Sequence, residues 1–143
     1  MLAAADISEG SSAAIPYAYS LLPAGGTVHL IHVLPPPDDL AARIWSDLTD
    51  AKPHRRPTKA DDEARLRALI PPEADRLGIT TDVHVVVGGD PATVTQSESE
   101  RLGVDAVCIA ARGAGVAASG IGSVARRLLA RSRRPVFAVR PPQ

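Results

Sequence analysis

The sequence predicts an α/β protein built on an open, parallel five-stranded sheet with helices on both faces. Three observations predict it. Five strand-like segments alternate with four helical ones along the chain, and that alternation is the pattern of βαβ units. The run Thr27–Leu34 (TVHLIHVL) is β-branched and apolar almost throughout, as in a strand covered on both faces. The length of 143 residues suits one domain with a real core.

Each element has a local reason. Met1–Ala5 is a short apolar run ending at Asp6, readable as a buried strand. Ser11 or Ser12 can cap a helix that carries Ala14, Ala18 and Leu21 on one face and ends near Pro23-Ala24-Gly25-Gly26. Pro16 falls in its first turn, where no intrahelical bond is lost. The strand Thr27–Leu34 is stopped by Pro35-Pro36-Pro37. Residues 38–59 mix Asp38-Asp39, Trp45, Pro53, Arg55-Arg56 and Pro57 without a sustained period and read as an irregular, mobile excursion. Ala60–Leu69 reads as a helix with Ala64, Leu66, Leu69 and Ile70 facing inward. Pro71-Pro72 ends it, and Glu73–Leu77 adds a turn before Gly78. Asp82–Val87 is a third strand. Asp90 caps and Pro91 opens the next helix, which runs through Leu102 and closes at Gly103. Ala106–Ala110 is a fourth strand. A glycine-rich loop from Arg112 to Gly122 leads into the helix Ser123–Arg131, and Pro135–Val139 is a fifth strand. Right-handed crossovers leave few topologies, and ligands of such sheets sit beyond the carboxyl ends of the strands, where strand order reverses. The strand ends to inspect are therefore Asp6, Leu34, Val87 and Ala110.

Composition excludes several function classes. Sixteen basic and sixteen acidic residues give zero formal charge, which argues against a nucleic-acid or membrane-surface binder. Four aromatics, Tyr17, Tyr19, Trp45 and Phe137, are too few for a base-stacking platform. A hydrophobic content of 45% against 22% charged residues excludes a disordered chain. Cys108 is the single cysteine and fits a reducing cytoplasm. The chain has no run of about 18 apolar residues and no signal-peptide pattern at its start. The expectation is a soluble cytoplasmic domain.

The segment Gly113-Ala-Gly-Val-Ala-Ala-Ser-Gly-Ile-Gly-Ser123 is the most informative motif. It follows a buried strand and opens a helix, where glycines admit close approach and free N–H groups attract phosphate. Ser123 can cap that helix or give its hydroxyl to a phosphate oxygen. The plainer reading is a structural loop with an ordinary cap, and its position at the strands' carboxyl end favours phosphate. Within it, Gly120-Ile-Gly122-Ser-Val-Ala125 matches G-x-G-x-x-A by accident. The dinucleotide fingerprint needs an acidic residue about 20 positions on, where Arg140 stands, and no phosphate-loop lysine is present.

The chain resembles universal stress protein domains over nearly all its length. Asp6-Ile7-Ser8-Glu9 is similar to the D-x-S-E that follows the family's first strand, and His32-Val33 to the close of its second. Gly89-Asp90-Pro91-Ala92 resembles its G-D-P-x helix start, and Val104-Asp105-Ala106-Val107 the entry to its fourth strand. Arg112-Gly113, Gly122-Ser123-Val124 and Arg134-Pro135-Val136-Phe137-Ala138-Val139 resemble its last third. The resemblance implies a flavodoxin-like three-layer sandwich of strand order 3-2-1-4-5 over residues 1–143, and a homodimer through the last strand. Nucleotide-binding members carry G-x2-G-x9-G-[ST]. Here Ala110 replaces the first glycine, and eight residues instead of nine separate Gly113 from Gly122. One residue fewer changes the loop's path by up to about 3.5 Å. The matching positions put Asp6 and Val33 near the base of ATP, with Ala110, Arg112 and Gly113 near the ribose and phosphates. Gly122, Ser123 and Val124 surround the phosphates, and Asp6 can hold a magnesium ion with them. The implied role is regulatory, through ATP and a partner protein; the alternative is a member without nucleotide, acting through dimerisation and partner contacts.

Catalytic constellations are thin. His29 and His32 point to opposite faces of one strand and cannot share a metal. His84 lies on another strand and His54 in the irregular stretch, so all four histidines read as structural. Cys108, mid-strand, reads as an inert core thiol. Ser123 has no histidine base beside it, and G-x-S-x-G is absent. No catalytic residue and no resident metal are expected. The basic residues Arg131, Arg133 and Arg134 read as a solvated helix end, with Arg126 and Arg127 open to a phosphate role.

Overall fold

The computed structural model describes residues 1–7, 12–34, 58–112 and 120–140. Its strands are β1 (Leu2–Ala4), β2 (Thr27–Leu34), β3 (Thr80–Val87), β4 (Val107–Ala110) and β5 (Val136–Val139). They form one sheet of order β3-β2-β1-β4-β5 with every neighbouring pair parallel, the flavodoxin-like order that the resemblance implies. The helices among the described residues are α1 (Ile15–Ser20), α2 (Lys59–Ala68), α3 (Glu73–Arg76), α4 (Pro91–Arg101) and α5 (Ser123–Arg131).

The pleat divides the core in two, because successive side chains leave a strand on opposite faces. Ala3, Ala5, Val28, Leu30, Cys108 and Ala110 meet Ile15, Ala18 and Tyr19 of α1, Leu66 of α2 and Ala74 of α3. Leu2, Ala4, Ile31, Val107 and Ile109 meet Ala92 of α4 with Ala125 and Leu128 of α5. The three layers follow from strands that are apolar on both faces. None of these helices is long and apolar enough to cross a membrane.

Two helices differ from the sequence expectation. The first helix starts at Ile15, with Ala14 at its cap position and no side-chain cap bond. The period therefore runs from Ile15 to Ala18 and Tyr19, and Leu21 is 48% exposed. α2 starts at Lys59, one residue early, behind a capping box. Asp61 N–H donates to Thr58 Oγ1 (3.2 Å), and Thr58 N–H donates back to Asp61 Oδ2 (2.8 Å). Thr58 and Lys59 thus belong to the helix start, while the rest of the expected excursion lies outside the described residues. The inward positions of α2 are Asp62 and Leu66, with Leu69 and Ile70 half-buried; Ala64 faces solvent. A buried aspartate displaced the register that hydrophobicity suggested.

Cys108 is fully buried, and its thiol donates to Ala14 O at 3.6 Å. Burial pushes the thiol up to about 11. Only the thiolate attacks disulfide reagents, so the native chain at pH 8 should stay unmodified while the chain unfolded in guanidinium reacts at once. A thiol-release absorbance assay checks this.

Candidate functional site

β1 pairs with β2 on one side and β4 on the other, so strand order reverses between β1 and β4. That reversal opens a crevice at the carboxyl ends. A cavity of about 280 Å³ lies there, between the ends of β1, β2 and β4 and the starts of α4 and α5. Asp6, Val33, Ala110, Arg112, Gly122, Ser123 and Val124 all line it. Gly113 lies outside the described residues. His32, Pro91 and Thr95 also line the cavity, and the sequence had not assigned them to it.

The helix start supplies the electrostatics. Gly122 is the N-cap of α5, with φ −59° and ψ 154° and no side-chain cap bond. Ser123, which the sequence offered as the cap, is instead the first helical residue. The Gly122 N–H donates to Ala111 O (2.8 Å), and its carbonyl accepts from Arg126 N–H (2.9 Å). The N–H groups of Ser123, Val124 and Ala125 consequently have no intrahelical acceptor. These three donors, at the positive end of the helix dipole, border the cavity.

The other walls are fixed by local devices. Gly88 and Gly89 turn the chain out of β3 with φ of 84° and 88°. A Cβ on Gly89 would lie 2.7 Å from Val94 Cγ2, so glycine is needed there for conformation and space. Asp90 then caps α4 by accepting from Thr93 N–H at 3.0 Å. Arg127 Nη2 donates to Asp90 Oδ1 at 2.6 Å. Thr93 first, and Arg127 beside it, hold the Asp90 carboxyl below the usual carboxylate range. Arg127 therefore ties α5 to the start of α4, and neither it nor Arg126 lines the cavity. On the opposite side Ile7 has φ of 62°, a conformation costing a β-branched residue on the order of 1–3 kcal/mol. That strained turn directly follows Asp6, an exposed carboxylate at the mouth.

His32 joins the cavity to the core. A carbonyl only accepts, so the 2.8 Å contact with Ala5 O places the proton on Nδ1. Nε2 lies 3.8 Å from Asp62 Oδ2. Asp62 is 2% exposed and accepts from Arg65 Nη1 at 3.3 Å. The chain Arg65–Asp62–His32–Ala5 braces the end of β1 against α2. His32→Ala should lower unfolding stability by about 2–4 kcal/mol, from an unpaired buried carbonyl, the loss of the imidazole facing Asp62 and a small cavity. Urea denaturation followed by circular dichroism reads that loss.

The universal stress protein family model matches residues 1–140. Among solved structures, the hypothetical protein MJ0577 is similar with TM-score 0.71 at 22% identity, covering 96% of this chain and 92% of that one. A universal stress protein in complex with cAMP gives TM-score 0.61 at 17% identity, over 99% and 95% of the two chains. The universal stress protein from Archaeoglobus fulgidus in complex with dAMP gives 0.54 at 17%, over 97% and 95%. No curated protein matches significantly. At these identities the structural likeness concerns the fold, and the family assignment rests on the family model. With that match running almost end to end, the chain belongs to the universal stress protein family.

Proposed function

We propose that this chain is a regulatory domain that binds an adenine nucleotide, ATP, in the switch-point cleft. The observation that carries the reading is the helix start beside a cavity at the strand-order reversal, where the N–H groups of Ser123, Val124 and Ala125 have no intrahelical acceptor. Two proteins of the same fold are complexes with cAMP and dAMP, both adenine nucleotides. The cavity, about 280 Å³, is near the lower end of small-molecule sites, which start at roughly 300 Å³. It takes the base and ribose while the phosphates extend along the start of α5. Asp6 and Val33 flank the base, and Arg112 the ribose and phosphates; the resemblance implies the same for Gly113, which lies outside the described residues. Ala110 presents a methyl at the floor where nucleotide-binding relatives carry glycine. The Asp6 carboxylate at the mouth suits magnesium, which is held by one or two carboxylates together with substrate phosphates.

The proposed role is binding. Calorimetric titration with ATP, with and without magnesium, tests it, together with mass analysis of ligand released from freshly purified protein. Saturable binding of an adenine nucleotide supports the reading, and its absence in both assays favours the alternative of a member acting without nucleotide. That alternative gains from Ala110 and the shorter loop. In either case the output passes to a partner protein, in the reducing cytoplasm that the lone thiol Cys108 suits. The chain would act as a homodimer through β5, an edge strand that among the described residues pairs only with β4.

A further inference from the structure

A second cluster of polar side chains lies away from the cleft, towards the edge of the sheet. The β2–β3 register sets His29 opposite Asp82, and Ile31 opposite His84. The pleat then projects His29, Asp82 and His84 from one face. His29 Nδ1 lies 3.1 Å from His84 Nε2 and 3.5 Å from Asp82 Oδ2. One donor atom from each residue lies within 4.8 Å of the others. The two rings stand 5.3 Å apart between centroids, tilted by 43°.

We propose that His29, Asp82 and His84 form a binding site for a divalent transition-metal cation of the zinc type. Zinc holds imidazole nitrogen and carboxylate oxygen at about 2.0–2.2 Å, so two donors on one tetrahedral ion are about 3.4 Å apart. The 3.1 and 3.5 Å separations bracket that spacing. Two imidazoles and one carboxylate are a borderline donor set, which suits zinc, nickel or copper over magnesium or calcium. The Asp82 side chain is 53% exposed, leaving a fourth position open to water. The nearby cation Arg101 of α4 is held by Glu98 through bonds of 3.1, 3.1 and 2.6 Å, which offsets its repulsion of a metal. The triad shares no residue with the cleft lining.

The test uses the tag-free full chain, stripped of metal by a chelator that is then removed. Zinc titration by calorimetry should give one ion per chain. Proton–nitrogen spectra should show the imidazole signals of His29 and His84 shifting together, with those of His32 unmoved. His84→Gln should weaken binding at least about a hundredfold, given that even outer-shell partners of metal ligands are worth 10–100-fold. Asp82→Asn, at an exposed position, should weaken it at least about tenfold with an unchanged far-UV spectrum, and it decides the matter if His84→Gln misfolds. No zinc uptake by the parent chain, or full uptake by a folded variant, overturns the site.

Discussion

Gly122→Val should weaken ATP binding at least about a hundredfold while the far-UV spectrum and melting curve stay those of the parent chain. The backbone at Gly122, with φ −59° and ψ 154°, is extended and open to any residue, so valine imposes no backbone strain. Both backbone bonds of Gly122, to Ala111 and Arg126, survive the change. Gly122 is buried against the cavity, and two added methyls would stand in front of the N–H groups of Ser123 and Val124. Hydrogen bonds to a charged group contribute about 1.5–3 kcal/mol each. Losing one or two of them is about 3 kcal/mol, or roughly a hundredfold in Kd. Calorimetric titration reads the affinity. Unchanged affinity in a folded variant would place the nucleotide elsewhere.

The strands and their order were readable because their signal is local or topological. Thr27–Leu34 declares a doubly covered strand by its own composition, and of the four strand ends that the reversal rule singles out, Asp6 and Ala110 line the cavity while Leu34 and Val87 do not; Val33 came from the family resemblance. Facing and register were harder to read. Asp62 is buried on α2 where a hydrophobic pattern would place an apolar residue, because its carboxylate is paired with Arg65 and faces His32. Leu21 is outside because six residues of α1 leave little room for a period. Thr95 was missed as a cavity wall since it carries no distinctive motif, and His32, though part of the His32-Val33 pair, was read as structural. The likeness of Pro91 and Thr95, four apart on α4, to one helix face was the available signal. His29 and His84 are 55 positions apart in sequence, and only the β2–β3 register brings them together. Within one strand, His29 and His32 do point to opposite faces, as the period of two requires. The metal donors come from across strands instead.

Phe137→Asp should convert a dimer into a monomer, with the dimer dissociation constant rising more than about a thousandfold, because a two-fold contact meets each substitution twice and an unpaired buried charge costs several kcal/mol. Phe137 is in register with Cys108 of β4, whose side chain is wholly buried, yet Phe137 itself is 42% exposed. Ala138, on the other face, is exposed as well, and Val136 and Val139 are half-buried. A clean division of β5 into one core-facing pair and one outward pair therefore fails, and both faces reach the edge. Among the described residues, no strand lies on the outer side of β5. An apolar edge with unpaired backbone groups invites another strand, and a second copy of β5 offers the same surface in return. Since Phe137 faces solvent in the single chain, aspartate there should leave circular dichroism and monomer stability near the parent's, so loss of the dimer would not be a folding defect. Sedimentation velocity reads the change. A parent chain that sediments as a monomer at roughly tens of micromolar, where even a modest interface would associate, overturns the assembly.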